Sequence, residues 1–547
     1  MALQKNKIYR AEIIDFTAEG NGVARIEGMA VFVPRAAVGD QADIKILRVN
    51  KNMAFGRIER IIIPSRDRIE PACPVAGKCG GCCYQHISYE AELRAKEKKV
   101  ADALRRLGGV EGILEGITGA PGTVHYRNKA QYPVGEDETG AYTGFYRPRS
   151  HDIVRTDRCL IQNERADRVA RVVCEWMNDY DIPAYDEKTE KGVIRHVYVR
   201  TGTASGETHV CIIAARAKLR DQDTLIERLR EAEPSITGIV LNINRRTDNV
   251  ILGEKTVTLW GESELQDSLC GNVFRLSPHA FYQVNHDQTE RLYACALDFA
   301  ALNGTERVLD LYCGAGTITL ALAARAGEVL GVEIVPEAVE NARENAARNG
   351  IKNVRFECAD AGQAAILLTE RGEKPDVICV DPPRKGLDET TVEAIGRMAP
   401  PRVVYVSCDP ATLGRDIKRL ANYGYTAVRA RAFDLFPRTH HVETVCLLSK
   451  LQAKQHIEID LNMDELDLTD AEKKATYQEI KDYVLEHSGL KVSSLYIAQV
   501  KQKCGIIERE NYNKPKSENA KQPQCPPDKE KAIKEALQHF GMIEEHW

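Results

Sequence analysis

The chain has 547 residues, 43% hydrophobic and 28% charged, with 16 cysteines and a formal net charge of −5. That length predicts three or four domains with cores of their own, and the mildly acidic balance excludes a wholesale cationic coat while allowing local basic surfaces. The opening stretch MALQKNKIYRAEIIDF has no apolar leader and no apolar run reaches about 18 residues, so the expectation is a cytoplasmic chain that crosses no membrane and keeps its thiols reduced.

Residues 1–62 alternate apolar and polar in short runs (YRAEIIDF, GVARIEGMAVFVP, ADIKILRV, MAFGRIERII), separated by the turn signals EGNG, RIEG and VGDQ. The pattern predicts a small β-barrel. Its polar positions carry Arg10, Arg25, Arg35, Lys45, Arg48, Lys51 and Arg57, which suit either a solvated face or an RNA contact. The segment resembles a TRAM domain, an OB-like RNA-binding module.

Residues 63–270 read as a central α+β domain, with strands such as VIRHVYVRT, THVCIIAA and GIVLNIN. It opens on CPVAGKCGGCCYQH, which supplies Cys73, Cys79, Cys82 and Cys83, and Cys159 follows in TDRCLIQN. The spacing C-x5-C-x2-C with one distant partner gathers four thiolates, and on spacing alone zinc and an iron–sulfur cluster fit equally. Downstream, HYRNKAQYPV and GFYRPRSHDIV interleave Tyr126, Arg127, Lys129, Tyr132, Phe145, Tyr146, Arg147 and Arg149. Cations among aromatics suit phosphate contacts and stacking on unpaired bases, although ordinary strand faces look similar.

From residue 271 to 452 strands and helices alternate regularly, which predicts a doubly wound, Rossmann-like parallel sheet. RVLDLYCGAGTITLALA is an apolar strand, a glycine turn at Gly314 and Gly316, and an apolar helix; EVLGVEI then ends in Glu333. A dinucleotide fingerprint would need a third glycine where Thr319 stands, which favours S-adenosylmethionine over NAD. Asp360 and Asp381 end the next strands, as ligand contacts at the sheet edge or as helix caps. VYVSCDPATLGRD places Cys408 where a strand breaks into a helix beginning at Pro410. Cys211, Cys379 and Cys446 lie inside apolar strands and read as buried small hydrophobes. Residues 453–547 form an extension of unknown role. Charged helical segments, TDAEKKATYQEIKDYVLEH and DKEKAIKEALQHFGMI, flank the polar stretch NYNKPKSENAKQPQCPP. Its candidate roles are a helical or winged-helix-like contact and a solvated appendage.

DLYCGAGTITL, DPPRKGL, SCDPATLGRD, FPRTHHVETV and FYQVN together resemble the RNA (uracil-5-)-methyltransferase family, especially the iron–sulfur 23S rRNA enzymes with an N-terminal TRAM domain. The resemblance runs from residue 1 to about 450. It implies S-adenosyl-L-methionine contacts at Gln283, Tyr312, Glu333, Asp360 and Asp381. It also implies a 4Fe-4S cluster held by Cys73, Cys79, Cys82 and Cys159, with Cys83 spare. The implied substrate is 23S rRNA with a looped or flipped uridine, and the chain is expected to be monomeric.

The chemistry explains the motif residues. Carbon 5 of uracil is a poor nucleophile until a thiolate adds at carbon 6, and a base must then remove the carbon 5 proton. The resemblance makes Cys408 that thiolate and Glu443 that base, with His440 and His441 as other candidates. Asp409 and Tyr282 stand where many relatives carry Asn and Phe. The competing readings are the same chemistry on the tRNA T-loop and a non-catalytic RNA-binding or assembly protein. Exocyclic-amine methylation is disfavoured, because Arg384 follows Asp-Pro-Pro where such enzymes place an aromatic residue.

Overall fold

The computed structural model describes residues 3–450, 477–504, 525–540 and 542. They fall into two compact units, Met1–Ala453 and Lys454–Trp547. In the first, strands Ile8–Phe16, Gly22–Ile26, Met29–Val33, Gln41–Val49 and Met53–Ile63 close into a barrel. Period-two alternation turns Ile13, Ala24, Val31, Val33, Ile44 and Ile46 into its core. Gly56 is required by close approach, since a Cβ there would lie 2.5 Å from Ile44 Cγ2.

A seven-stranded sheet follows, in the order Lys255–Gly261, Ile236–Ile243, Thr208–Ala214, Ile194–Thr201, Lys129–Asp137, Gly140–Tyr146, Ile153–Arg155. Helices Glu164–Asp179 and Gln222–Ala232 bury Val169, Val173, Trp176, Leu225 and Leu229 against Val197, Val199, Val210 and Ile212. The first of these helices starts at Asn163, whose side chain accepts the Arg165 N–H at 3.0 Å. Cys211, Cys379 and Cys446 are fully buried, as their strand positions predict.

The third sheet has eight strands, in the order Val354–Cys358, Glu328–Glu333, Arg307–Leu311, Val377–Val380, Arg402–Ser407, Glu443–Lys450, Tyr425–Phe433, Leu114–Thr118. The first five are parallel, as the strand–helix rhythm predicts. Two departures matter. Glu443–Lys450 runs antiparallel to its neighbours on both sides, so its first residue lies at the edge where the parallel strands end. Leu114–Thr118 comes from the segment expected in the central domain, yet it extends this sheet in parallel with Tyr425–Phe433. Helix Tyr89–Ala103 accompanies it: Val100 and Leu104 are buried in one core with Leu413 and Ile417. Residues 89–118, expected in the central domain, therefore pack with the segment 271–452 instead.

In the second unit, helices Tyr477–Ser488, Ser494–Lys503 and Pro527–His539 gather Ile480, Val484, Ile497, Val500, Ile533 and Leu537. The start of the first expected tail helix, at 469–476, and most of the polar stretch at 511–527 lie outside the described residues. Among the described residues no helix is long and apolar enough to cross a membrane.

Candidate active site

The parallel strands end around a cavity of about 640 Å3. Its glycine turn is strained: Tyr312 has φ 71°, with Gly314 at 54° and Gly316 at 84°. A tyrosine in the left-handed region is uncommon and is held there by its surroundings. Its amide and that of Cys313 both donate to the Val332 carbonyl at 3.0 Å. Glu333 closes the turn from the neighbouring strand. Its Oε2 accepts the Gly314 N–H at 3.1 Å, and its Oε1 accepts those of Ile334 and Val335 at 2.8 and 3.0 Å. A carboxylate has about four lone-pair sites, so the backbone fixes this one and leaves acceptor capacity toward the cavity.

Asp360 and Asp381 differ in kind. Asp360 caps helix Ala361–Glu370 through Oδ1, which accepts the Gly362 and Gln363 N–H groups at 3.1 and 3.2 Å. The capping alternative therefore holds for Asp360, although the residue also lines the cavity. Asp381 has no side-chain hydrogen bond among the described residues, and burial pushes its carboxyl up to about 7. Gln283 lines the same cavity from the segment preceding helix His286–Ala300, and its carbonyl accepts from Asn128 Nδ2 at 2.9 Å.

Ser407 pairs with Thr444 across the antiparallel register, which brings Cys408 and Glu443 to adjacent strand ends. Both line the cavity. Burial pushes Glu443 up to about 8, with the Asp381 charge adding and Arg384 opposing. The Cys408 thiol is pushed up to about 12, again by burial first and then by Glu443 and Asp381. The helix N-terminus expected to favour the thiolate is already engaged, because Asp409 Oδ1 accepts the Ala411 and Thr412 N–H groups at 2.8 and 3.3 Å. His440 and His441 are lowered to about 4 and about 3, chiefly by burial, which makes both weak bases.

The cysteines of the central segment form a separate site. Cys73, Cys79, Cys82 and Cys159 line a cavity of about 240 Å3, whose wall also contains Phe436 and His441. Both of those residues line the larger cavity as well. Cys83 is elsewhere, with its sulfur 3.9 Å from His440 Nδ1. Among the described residues, no three His, Cys, Asp or Glu side chains converge closely enough to hold a single metal ion.

Sequence reasoning named Arg384 only for the residue type it replaces, and assigned no site role to Phe281 or Phe436. Arg384 is exposed at the cavity, with Nη2 within 3.4 Å of the His441 ring, and its charge opposes both upward shifts there. Phe281, 64% exposed, stands at the mouth two residues from Gln283, and Phe436 forms the shared wall. The motifs DPPRKGL and FYQVN contained the first two, but nothing in a linear pattern marks Phe436. On the barrel, two of the seven basic residues are paired within it, Arg10 with Asp43 at 2.9 Å and Arg57 with Glu59 at 3.3 Å.

The described site can bind a nucleoside through acids at a sheet edge and present a thiol and a carboxyl to a second ligand. Comparisons with known proteins give the family. The family model for tRNA (uracil-5-)-methyltransferases matches residues 88–451, and that for the TRAM domain matches residues 2–58. A relative from Halalkalibacterium halodurans, named an uncharacterized RNA methyltransferase, is 46% identical over 447 residues, covering 82% of this chain and 98% of its own. One from Clostridium tetani with the same description is 42% identical over 447 residues, covering 82% and 97%. The crystal structure of a Pyrococcus abyssi tRNA (uracil-54, C5)-methyltransferase with S-adenosyl-L-homocysteine matches with a TM-score of 0.65 at 26% identity, covering 80% of this chain and all of that one. The chain belongs to the tRNA (uracil-5-)-methyltransferase family of RNA methyltransferases and carries a TRAM domain at its N-terminus.

Proposed function

We propose that this protein methylates carbon 5 of a uridine in 23S rRNA through a covalent adduct at Cys408. The observation that carries the reading is the juxtaposition of Cys408, Glu443 and Asp381 in one cavity, on adjacent ends of a sheet. S-adenosyl-L-methionine, when bound, supplies an electrophilic methyl group and a positive charge. Gln283, Tyr312, Glu333, Asp360 and Asp381, which line the cavity, would hold it, with Glu333 and the unpaired Asp381 as acceptors. A cation near Asp381 offsets one of the charges that keep the Cys408 thiol protonated.

Cys408, its thiol proton lost to solvent, then adds through sulfur to carbon 6, and the resulting nucleophilic carbon 5 takes the methyl group as the methyl–sulfonium bond breaks, leaving S-adenosylhomocysteine. Glu443 removes the carbon 5 proton, and the electron pair left behind expels the Cys408 sulfur from carbon 6. A base near 8 is matched to that task around neutrality, whereas His440 and His441 are too weak. The activity should therefore rise with pH as Glu443 loses its proton.

Cys73, Cys79, Cys82 and Cys159 would hold a 4Fe-4S cluster, because four soft donors surround one cavity. Its chemistry there is structural, stiffening the loops that form the shared wall. The protein acts in the cytoplasm as a monomer. A second reading, methylation of the tRNA T-loop, is favoured by the similarity to the Pyrococcus abyssi tRNA enzyme. Mass spectrometry of ribosomal and transfer RNA from a strain lacking this gene separates the two. Loss of a 5-methyluridine from 23S rRNA is the expected result, and loss from tRNA alone would overturn it.

A further inference from the structure

A groove beside the methyl-transfer cavity carries two arginines, Arg127 and Arg165, that are paired with no carboxylate among the described residues, whereas its histidines lie near acids, His125 3.6 Å from Glu164 and His286 3.0 Å from Asp287. Arg127, Asn128, Asn163, Arg165, Asn285 and His286 are among the residues lining this cavity of about 450 Å3. Two long helices begin on it: Asn163 caps the 16-residue helix Glu164–Asp179, and Asn285 caps the 15-residue helix His286–Ala300. Helix N-termini present partial positive charge to whatever lies in front of them. Asp287 is the sole acid among the lining residues, and its Oδ1 lies 3.0 Å from His286 Nδ1.

Two further cations, Lys129 and Arg200, lie outside the groove's lining. Lys129 stands directly opposite Arg200 in the antiparallel register, a placement that costs stability between like charges. Arg127, two residues before Lys129, acts on it as well. Arg200 donates to the Ser277 and Ala280 carbonyls at 3.1 and 2.8 Å, and Arg165 donates to the Gly206 carbonyl at 2.5 Å. The buried Nε of Arg127 has no partner, nor has the Oδ1 of Asn128, a residue only 3% exposed. The groove adjoins the reaction site, since Asn128 N–H and Nδ2 donate to the Val284 and Gln283 carbonyls at 2.8 and 2.9 Å.

We propose that this groove binds a phosphodiester of the substrate RNA next to the flipped uridine, with Arg127 and Arg165 in its lining as the contacting cations and Lys129, outside the lining but within reach of the Arg127 charge, as a flanking one. The proposal rests on the uridine-methylation reading. It gives the groove the usual division of labour, in which phosphate contacts fix register while the base is read in the catalytic cavity. Burial beside Arg127 and Arg200 lowers Lys129 to about 8. A phosphate arriving there draws a proton onto the amine, so RNA affinity falls as pH rises through that value.

The test titrates the full-length protein, saturated with S-adenosylhomocysteine, with a short RNA hairpin carrying a looped uridine at several salt concentrations. Arg127→Met, Lys129→Met and Arg165→Met should each weaken binding and flatten the slope of log affinity against log salt by roughly 0.7–0.9. Affinity for S-adenosylhomocysteine, measured separately, should stay at the wild-type value and so control for folding. Lys129→Arg should keep the salt slope and lose its share of the fall in affinity between about pH 7 and 9. Unchanged slopes in all three methionine variants would overturn the subsite. Arg127 also lines the four-cysteine cavity; if Arg127→Met loses iron while its slope is unchanged, Arg127 serves the cysteines and the proposed subsite falls. A wild type with the full slope that methylates no uridine would sink the activity reading and leave the subsite standing.

Discussion

The methyl-transfer cavity and the four-cysteine cavity share Phe436 and His441, but the protein builds them by different means. The first is assembled from strand ends, whose positions follow from a sheet register: Glu333 is tied by three backbone amides, and Glu443 lies across from Cys408 because Thr444 pairs with Ser407. The second is assembled from loops. Cys73, Cys79 and Cys82 lie outside regular elements, and Cys159 lies in the turn before helix Glu164–Asp179. Burial pushes Cys82 and Cys159 up to about 12 and about 11, so the folded chain alone disfavours the thiolates that a metal requires. A site made of strand ends is preorganised by the fold; a site made of loops is completed by what it binds.

The largest effect should come from the reacting pair. Cys408→Ala should abolish turnover and every covalent adduct. Glu443→Gln should let addition and methyl transfer proceed but block proton removal, leaving protein bonded to RNA as a slow band on a denaturing gel. That band should vanish in the double variant. Free turnover by Glu443→Gln would move the base elsewhere and undo the preorganised half of the comparison.

Cys159→Ser tests the other half. It should deplete iron and bleach the brown colour, measured by metal analysis and visible absorption, while calorimetry still detects S-adenosylhomocysteine binding. A colourless anaerobic wild type with stoichiometric zinc would break the assignment of the loop-built cavity.

Glu333→Gln should weaken cofactor binding by about 1.5–3 kcal/mol, the value of a charge-assisted hydrogen bond. Unchanged calorimetric affinity would mean that the carboxylate only ties its turn.

A smaller effect concerns Asp310, buried under the glycine turn with Thr319 Oγ1 donating to it at 2.5 Å. Burial pushes its carboxyl up to about 8, so the folded chain holds a proton that the unfolded chain loses near pH 4. Stability is then fully present below pH 4 and declines as pH rises toward 8. Asp310→Asn should flatten that decline in Tm; an equally steep decline would assign it to Asp381 and Glu443. The smallest change is expected from removing residues 455–547, which should leave methyl transfer to an RNA hairpin measurable. A truncated protein that binds cofactor but transfers nothing would bring the tail into the site.

Much of the catalytic cavity was legible because its residues end strands within short motifs: Gly314 and Gly316 mark the turn, and Asp381 and Cys408 precede prolines that punctuate the chain. Register across the sheet was not legible. No local signal says that Glu443–Lys450 runs antiparallel, or that Leu114–Thr118 leaves the central segment to pair with a strand more than three hundred positions later. The opposing carboxylates behind the raised Cys408 thiol were equally invisible, since burial and proximity come from tertiary packing. The four cysteines that the resemblance singled out, Cys82 rather than Cys83 among them, do line one cavity, but the spacing alone could not say that Phe436 and His441 close its wall.

The strand Leu114–Thr118 also imposes an order in time. Its ion-pair partners across the edge, Glu115 and Arg429, are 314 residues apart. At about 5–20 residues per second, a ribosome takes roughly 15–60 s to deliver the second after the first. During that interval the nascent chain holds an apolar strand and the flank of helix Tyr89–Ala103 without the surface they will cover. The catalytic sheet cannot be finished until its last hairpin emerges, so synthesis itself withholds the active enzyme until residues 425–450 have left the exit tunnel.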